Sequence, residues 1–221
     1  MLQKVLEEFQ EAVYDTDQNR ALEIVHKAID NGVAAEDVVF KIVIPTIEKM
    51  IKSISEDLGL SLAQFFMTAQ IAAAVTEEMI PHFKKSPEVV GCVVIGNSSG
   101  DFHGLGKRIV IGCLKAMMID VIDLGLNVPP ERFVDEAVAN KAQVIGISSL
   151  MVHTARGENG CLKVRQILKE RGLEEQIKII VGGAPYRHDH ALYKVVQADA
   201  WSENGIVGGQ IIKDLIKEMQ K

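Results

Sequence analysis

Cysteine is scarce in this chain, with three among 221 residues, and the three are far apart. Cys92 falls in an apolar strand pattern, Cys113 in an apolar helix pattern, and Cys161 at the start of a predicted helix. An odd number of scattered cysteines argues against a disulfide framework and against a zinc site built on CxxC spacing. We therefore expect reduced thiols and a cytoplasmic location.

The chain also lacks a long basic run and a long apolar run. Its formal net charge is −6, which argues against a nucleic-acid or anionic-membrane surface as the main partner. No apolar stretch approaches the ~20 residues of a membrane span. The N-terminal stretch is amphipathic and acidic, and it has no signal-peptide core or cleavage site. We expect no nucleic-acid partner and no membrane attachment.

Strand patterns are absent from the first part of the chain, where helical patterns follow one another. "NRALEIVHKAIDNG" has one apolar face and stops at Asn31-Gly32, a signal for a helix C-terminus. Pro45 predicts a kink or a break in "AAEDVVFKIVIPTIEKMIKSI". Ser61 is a candidate N-cap for "SLAQFFMTAQIAAAVTEEMI". These patterns predict a bundle of four or five helices over residues 1–85.

After a polar, proline-containing stretch at 82–90, apolar strands alternate with helices over residues 88–221. The predicted strands are 89–95, 121–124, 144–148, 177–181 and 198–201. The predicted helices are 107–118, 131–140, 156–171, 190–197 and 206–220. This alternation predicts an α/β domain with a parallel sheet covered on both faces. Five strands fit the flavodoxin-like (Rossmann-like) order 2-1-3-4-5.

Sheets of this order bind ligands beyond the carboxyl ends of their first and third strands. Three loops should meet there: "NSSGDFHGLG", "SLMVHTARG" and "GGAPYRHDH". The first places His103 two residues after Asp101 among glycines, which let the backbone turn sharply and approach a ligand. The simplest interpretation is a solvated histidine, with Asp101 favouring the N-terminus of the next helix.

A phosphate cradle is a second interpretation, because Ser98 and Ser99 precede a helix N-terminus. The loop, however, matches neither GxxxxGK[ST] nor GxGxxG. A phospho-acceptor receiver domain would need a lysine after the last strand, where "AWSENG" has none. Both interpretations leave His103 without a role.

Two metal-binding interpretations remain. A zinc site would combine His103 with His153, His188 or His190, but HxxxH or CxxC spacing is missing. The other is a macrocycle whose metal is held from one side by a single imidazole. Such a site needs one histidine on a glycine-rich loop and a carboxylate that holds the other ring nitrogen.

Three short motifs carry a family resemblance. "DFHGLG", Asp101–Gly106, fits DxHxxG, and "SSL", Ser148–Leu150, fits SxL after 41 residues. Gly182-Gly183 fits a third element after a further 31 residues. In this order, each after a predicted strand, they resemble the cobalamin-binding signature of corrinoid proteins in methyltransferase systems and of methionine synthase modules.

The first half is similar to the same family. "NGVAAEDVVFKIVIPTIEKM" and "LSLAQFFMTAQIA" resemble the four-helix-bundle cap of methyl-carrying corrinoid proteins. The resemblance thus covers nearly the whole chain. It favours a methyl carrier over the isomerases, whose cobalamin domains are attached to a large catalytic barrel.

The resemblance implies a role for each matching residue. His103 would replace the benzimidazole of the cofactor as axial ligand to cobalt, and Asp101 would accept a hydrogen bond from its other ring nitrogen. Ser148 and Leu150 form the SxL element, and Ser148 would contact the benzimidazole end of the displaced nucleotide tail. The residues that would leave room for this tail are Gly106, Gly182 and Gly183.

This chain also departs from the family pattern. Relatives often have threonine two residues after the SxL leucine, where this chain has Val152, and Thr154 is the candidate to replace that contact to the tail or the corrin. In the cap, Gln64 stands in place of an acid. The pair Phe65–Phe66 replaces aliphatic residues, and it either shields the upper face of the cofactor or belongs to the helical core.

The implied function is a carrier that binds cobalamin base-off and His-on, as methylcobalamin or the Co(I) corrinoid. It would shuttle a methyl group from a donor-specific methyltransferase to an acceptor methyltransferase that uses tetrahydrofolate or a thiol. A reductive activase would be a third partner, and the chain would catalyse little alone. The alternatives are a cobalamin-responsive regulator, for which no basic recognition helix is present, and a flavin or nucleotide protein.

Overall fold

The computed structural model describes residues 2–55, 61–84 and 89–219. The chain divides into two compact units, one comprising residues 1–88 with 115–118 and the other comprising 89–114 with 119–221. The predicted domain bounds, 1–85 and 88–221, end on residues outside the described ranges and stay predictions.

The first unit is helical, as predicted. Its helices are α1 (Leu2–Tyr14), α2 (Gln18–Asp30), α3 (Ala35–Val38), α4 (Ile44–Ser55) and α5 (Leu62–Met79). A 3₁₀ turn follows at Ile80–His82. Fully buried apolar side chains from these segments form its core, among them Phe9, Val13, Val25, Ile42, Ile47 and Ile71.

The predicted helix ends are confirmed. Helix α2 is capped by Asn31 and followed by Gly32 at φ 84°, a backbone conformation that favours glycine. At the start of α5, the Ser61 hydroxyl accepts the N–H of Gln64, and the Gln64 side chain accepts the N–H of Ser61 in return. Gln64 therefore has a structural role at this cap. The pair Phe65–Phe66 is half-buried.

Pro45 does not break the helix but follows a change in its type. Residues Val39–Val43 form a π-helix that connects α3 to α4. Proline lacks the N–H that would bond to the fourth preceding carbonyl. A wider turn ahead of the proline keeps the helical path continuous without that bond.

The second unit is built on a sheet of five parallel strands. These are β1 (Gly91–Asn97), β2 (Ile119–Asp123), β3 (Val144–Ser148), β4 (Lys178–Gly182) and β5 (Ala200–Ser202). Their order is β2-β1-β3-β4-β5, which confirms the predicted topology. The strand ends lie side by side, because Ser148 pairs with both Asn97 and Gly182.

Helices connect these strands, and a last helix follows β5. They are α6 (Leu105–Ala116), α7 (Pro130–Ala139), α8 (Val152–Arg156), α9 (Cys161–Glu170), α10 (Ala184–His188), α11 (Leu192–Val195) and α12 (Gly205–Met219). In the described part of the chain, no helix has the length and apolar character needed to cross a membrane.

The prediction of one helix over 156–171 was wrong, because α8 and α9 are separated by a turn. A Cβ at Gly157 would lie 2.7 Å from the carbonyl oxygen of His153, and one at Gly160 would lie 3.0 Å from that of Gly157. Only glycine permits so close an approach of backbone to backbone. The predicted helix over 190–197 is likewise shorter, and α10 precedes it.

Candidate cofactor-binding site

Asp101 lies fully buried in the loop after β1, and both of its carboxylate oxygens are in use. Oδ1 accepts the backbone N–H of His103 at 2.9 Å and lies 3.2 Å from Nδ1 of the same residue. Oδ2 accepts the N–H of Leu150 at 2.6 Å and the hydroxyl of Thr154 at 2.9 Å. One carboxylate therefore ties the loop after β1 to the loop after β3.

The carboxyl of Asp101 is held in its ionised form. Burial alone would raise its pKa, but the N–H groups of His103 and Leu150 and the Thr154 hydroxyl stabilise the anion, and the pKa falls below its ordinary value. An ionised carboxylate only accepts hydrogen bonds, so the proton between the two side chains belongs to Nδ1 of His103. In the tautomer that carries its proton on Nδ1, Nε2 keeps a lone pair that a metal can accept.

His103 is half-exposed, and the segments that follow the strand ends carry exposed apolar residues. Its own side chain is 53% exposed, whereas that of its partner Asp101 is 0% exposed. The segments after β1, β2 and β3, which include the first residues of α6 and α8, contribute six exposed large apolar residues to the same edge of the sheet: Phe102, Leu105, Leu126, Leu150, Met151 and Val152. We call these six residues the apolar rim. An exposed imidazole within an apolar rim suits a broad, flat ligand with a metal at its centre.

The loop after β2 supports the histidine loop. Asn127 adopts a left-handed conformation at φ 51°. Its Oδ1 accepts the N–H of Gly100 at 2.7 Å, and its own N–H donates to the carbonyl of Asp101 at 3.0 Å. The buried side chain of Lys107, near the start of α6, forms an ion pair with Asp123 at the end of β2. These contacts fix the backbone on either side of His103.

Hydroxyl groups support the same loop from beneath. The Ser98 hydroxyl donates to the carbonyl oxygen of Thr154 at 3.0 Å and shares a hydrogen bond of 3.0 Å with the Ser149 hydroxyl. All three residues are buried. Thr154 was expected to contact the tail or the corrin. Its hydroxyl lies 2.9 Å from Oδ2 of Asp101 and 2.8 Å from the carbonyl oxygen of Met151, and its contact with a cofactor stays a prediction.

The predicted site residues fall into two groups. Those joined by hydrogen bonds are Asp101, His103, Leu150 and Thr154. The others stand at strand ends or in the first turn of α6: Gly106, Ser148, Gly182 and Gly183. Their contacts with a cofactor stay predictions.

The glycines of the second group differ in what surrounds them. Gly183 has φ 120°, and a Cβ there would lie 1.9 Å from the carbonyl oxygen of Ser149, so the backbone itself requires glycine. A Cβ at Gly106 would meet nothing within 4 Å, and one at Gly182 would meet only the carbonyl oxygen of Ser202 at 3.6 Å. Gly106 therefore has open space beside it for a ligand.

Several residues of the site were not predicted from the sequence: Asn97, Lys107, Asp123, Asn127 and Ser149. The available signal was the polar run "NSS" directly at the end of an apolar strand. For the zinc interpretation, the described residues contain no group of three or more His, Cys, Asp or Glu side chains placed to hold a metal ion. His190 instead stacks on Trp201, with 4.7 Å between ring centroids.

Comparison with known proteins agrees with this geometry. The model of the B12 binding domain family matches residues 91–207, from the first residue of β1 into α12. This chain belongs to that family of cobalamin-binding proteins, and cobalamin is its cofactor. The resemblance inferred from the three motifs is thereby confirmed.

Curated relatives include methylamine corrinoid proteins. Trimethylamine corrinoid protein 1 of Methanosarcina acetivorans is 30% identical over 91% of this chain and 92% of its own length. Dimethylamine corrinoid protein 1 of Methanosarcina mazei is 31% identical over 97% of each chain.

Solved structures share the fold. A cobalamin-binding protein from Desulfitobacterium hafniense DCB-2 superposes with a TM-score of 0.76 at 23% identity, covering 95% of this chain and 98% of that one. The methanol:cobalamin methyltransferase complex MtaBC from Methanosarcina barkeri matches with a TM-score of 0.75 at 23% identity, covering 97% and 80%.

Proposed function

We propose that this chain is a methyl carrier that binds cobalamin base-off, with His103 as the axial ligand to cobalt. The observation that carries the proposal is the pairing of a half-exposed imidazole with a buried, ionised carboxylate inside the apolar rim. When bound, cobalamin supplies a cobalt centre that accepts and gives up the methyl group. Relatives named for trimethylamine and dimethylamine support a methylamine as the methyl donor.

The roles of the residues follow from their contacts. His103 offers the Nε2 lone pair, and Asp101 holds the proton at Nδ1, which fixes both the tautomer and the orientation of the ring. Leu150 and Thr154 hold the carboxylate from the neighbouring loop. The position of the His103 ring is therefore set by two loops at once. This limits how far the ring moves when its bond to the metal forms or breaks.

The nucleotide tail is proposed to lie beside Gly106, Ser148 and Gly182. Ser148 ends β3 next to Gly182 at the end of β4, so both are at the edge where this sheet order binds ligands. The open space at Gly106 supports its inclusion. Gly183 contributes by allowing the loop after β4 to pass close to Ser149.

The proposed partners are a donor-specific methyltransferase, an acceptor methyltransferase that uses tetrahydrofolate or a thiol, and a reductive activase, all in the cytoplasm. These partner enzymes would supply the catalysis, and this chain would carry the methyl group between the two methyltransferases. The relatives support this division, because their names describe a trimethylamine and a dimethylamine corrinoid protein.

The test is the ultraviolet–visible spectrum of the protein reconstituted with hydroxocobalamin or methylcobalamin, for wild type, His103→Ala and His153→Ala. His153 is an exposed histidine on helix α8, which follows β3, and serves as the matched control. We expect retained corrinoid, with a spectrum that changes in His103→Ala alone. Identical spectra in all three proteins would refute axial ligation by His103, and failure of wild type to retain corrinoid would refute the carrier.

A further inference from the structure

Asn97 is the last residue of β1, and it is fully buried. Its Nδ2 donates to the carbonyl oxygen of His103 at 3.0 Å and lies 3.4 Å from Oδ1 of Asp101. Its backbone is held as well, because its N–H donates to the carbonyl of Gly125 and its own carbonyl accepts the N–H of Val128. One buried amide therefore reaches both the main chain of the proposed ligand and the carboxylate that orients it.

The other end of this amide is unused. Oδ1 of Asn97 is buried and has no hydrogen-bond partner. Reversing the amide would turn Oδ1 toward two acceptor oxygens, one of them on the ionised Asp101, so the observed orientation is the favourable one. A buried acceptor without a partner is unfavourable for folding. Because the Asn97 side chain lowers stability in this way, we look for its function in the contacts that its Nδ2 donates.

The two donor contacts restrain different parts of the histidine loop. The bond to the carbonyl of His103 anchors the main chain at the ligand itself, which the hydrogen bond between the ring and Asp101 does not do. The longer contact to Oδ1 adds a third donor on an oxygen that already receives the N–H and Nδ1 of His103. Asn97 is thus placed to hold backbone and carboxylate in one fixed relation.

We propose that Asn97 is a positioning residue, which keeps His103 in the place where its Nε2 can ligate cobalt. This inference rests on the proposed function, since it concerns the same axial ligand. Without the anchor, the main chain at His103 gains freedom, and less of the protein has the histidine on the metal. The expected change is a fall of roughly five-fold in the ratio of histidine-bound to water-bound cofactor, the value of one net hydrogen bond.

The test uses the full chain with nitrogen-15-labelled histidine, loaded with cob(II)alamin. In its electron paramagnetic resonance spectrum a doublet splitting reports a histidine nitrogen on cobalt, whereas a triplet reports the benzimidazole of the cofactor itself, so the doublet is the nitrogen-split signal compared here. Wild type, His103→Ala, Asn97→Leu and Asn97→Thr are compared. Leucine is close in size to asparagine and has no donor. Threonine suits a strand and restores a hydroxyl donor, so it should recover part of the nitrogen-split signal.

The outcomes are distinct. A reduced nitrogen-split fraction in Asn97→Leu, with corrinoid retained and partial recovery in Asn97→Thr, supports the positioning role. A wild-type fraction in Asn97→Leu, whatever its stability to urea, overturns it while leaving ligation by His103 intact. Identical spectra for wild type and His103→Ala overturn both proposals. If Asn97→Leu fails to fold, Asn97→Thr alone decides the test. A nitrogen-split fraction in Asn97→Thr equal to that of His103→Ala, or equal to that of wild type, then counts against the positioning role.

Discussion

Gly106→Ala separates the stability of the fold from the binding of the cofactor. Gly106 is the second residue of α6, its φ is not positive, and a Cβ there would meet no atom within 4 Å. Alanine is favoured over glycine within a helix by about 0.5–1 kcal/mol. The free energy of unfolding of the apoprotein should therefore rise by up to about 1 kcal/mol, which raises Tm by roughly 2–4 °C in a protein of this size.

Cofactor binding should change in the opposite direction. The proposed nucleotide tail lies beside Gly106, so the added methyl group takes up space that the tail needs. A loss of about 1.4 kcal/mol in binding free energy corresponds to a ten-fold higher Kd. We expect the loss in binding free energy to be at least that large. A variant that is more stable and binds less tightly cannot owe its weaker binding to unfolding.

Gly172→Ala is the matched control. Gly172 follows α9 at φ 67°, where alanine is strained by about 1–2 kcal/mol, although a Cβ would meet no atom within 4 Å. It lies in the loop that leads into β4, at the end of the sheet away from the site. This variant should therefore be less stable but should bind cobalamin as wild type does.

The assays are thermal unfolding of the apoproteins by circular dichroism and titration with cobalamin followed in the visible spectrum. Wild-type affinity in Gly106→Ala would refute the placement of the tail beside α6. Equal losses of affinity in both variants would show that binding follows stability, and the reasoning from the open space would fail.

Three further predictions concern the apoprotein. The ionised Asp101 stabilises the fold above the ordinary pKa of aspartate, and this stability is lost as the pH falls through the lower pKa of the folded state. In Asp101→Asn, the free energy of unfolding measured with urea should therefore depend less on pH between acidic and neutral values. The same pH dependence as in wild type would contradict this prediction. Gly183→Ala should lose more than about 2 kcal/mol, because its Cβ would lie 1.9 Å from the Ser149 carbonyl oxygen; an unaltered urea midpoint would refute this. Burial raises the pKa of Cys113 and of Cys161 to about 12, so a thiol reagent at neutral pH should modify at most one of the three cysteines until the protein is unfolded.

The sequence by itself determined the class of the fold and the identity of the cofactor. Strand and helix periods are local properties, so the parallel sheet and its order followed from the alternation of apolar segments. Asp101 and His103 are two residues apart, and their hydrogen bond forms within one loop. The resemblance of the three motifs to the cobalamin-binding signature then indicated cobalamin, and the match to the B12 binding domain family confirms it.

Only the tertiary structure decided how the histidine is held. The donors to Oδ2 of Asp101 come from Leu150 and Thr154, which are 49 and 53 residues further along the chain. The anchoring of His103 by Asn97 and the close approach of Gly183 to Ser149 depend equally on which strand ends become neighbours. Hydrogen bonds of this kind leave no periodic signal in a sequence, since they depend on distances between loops that the packed sheet sets.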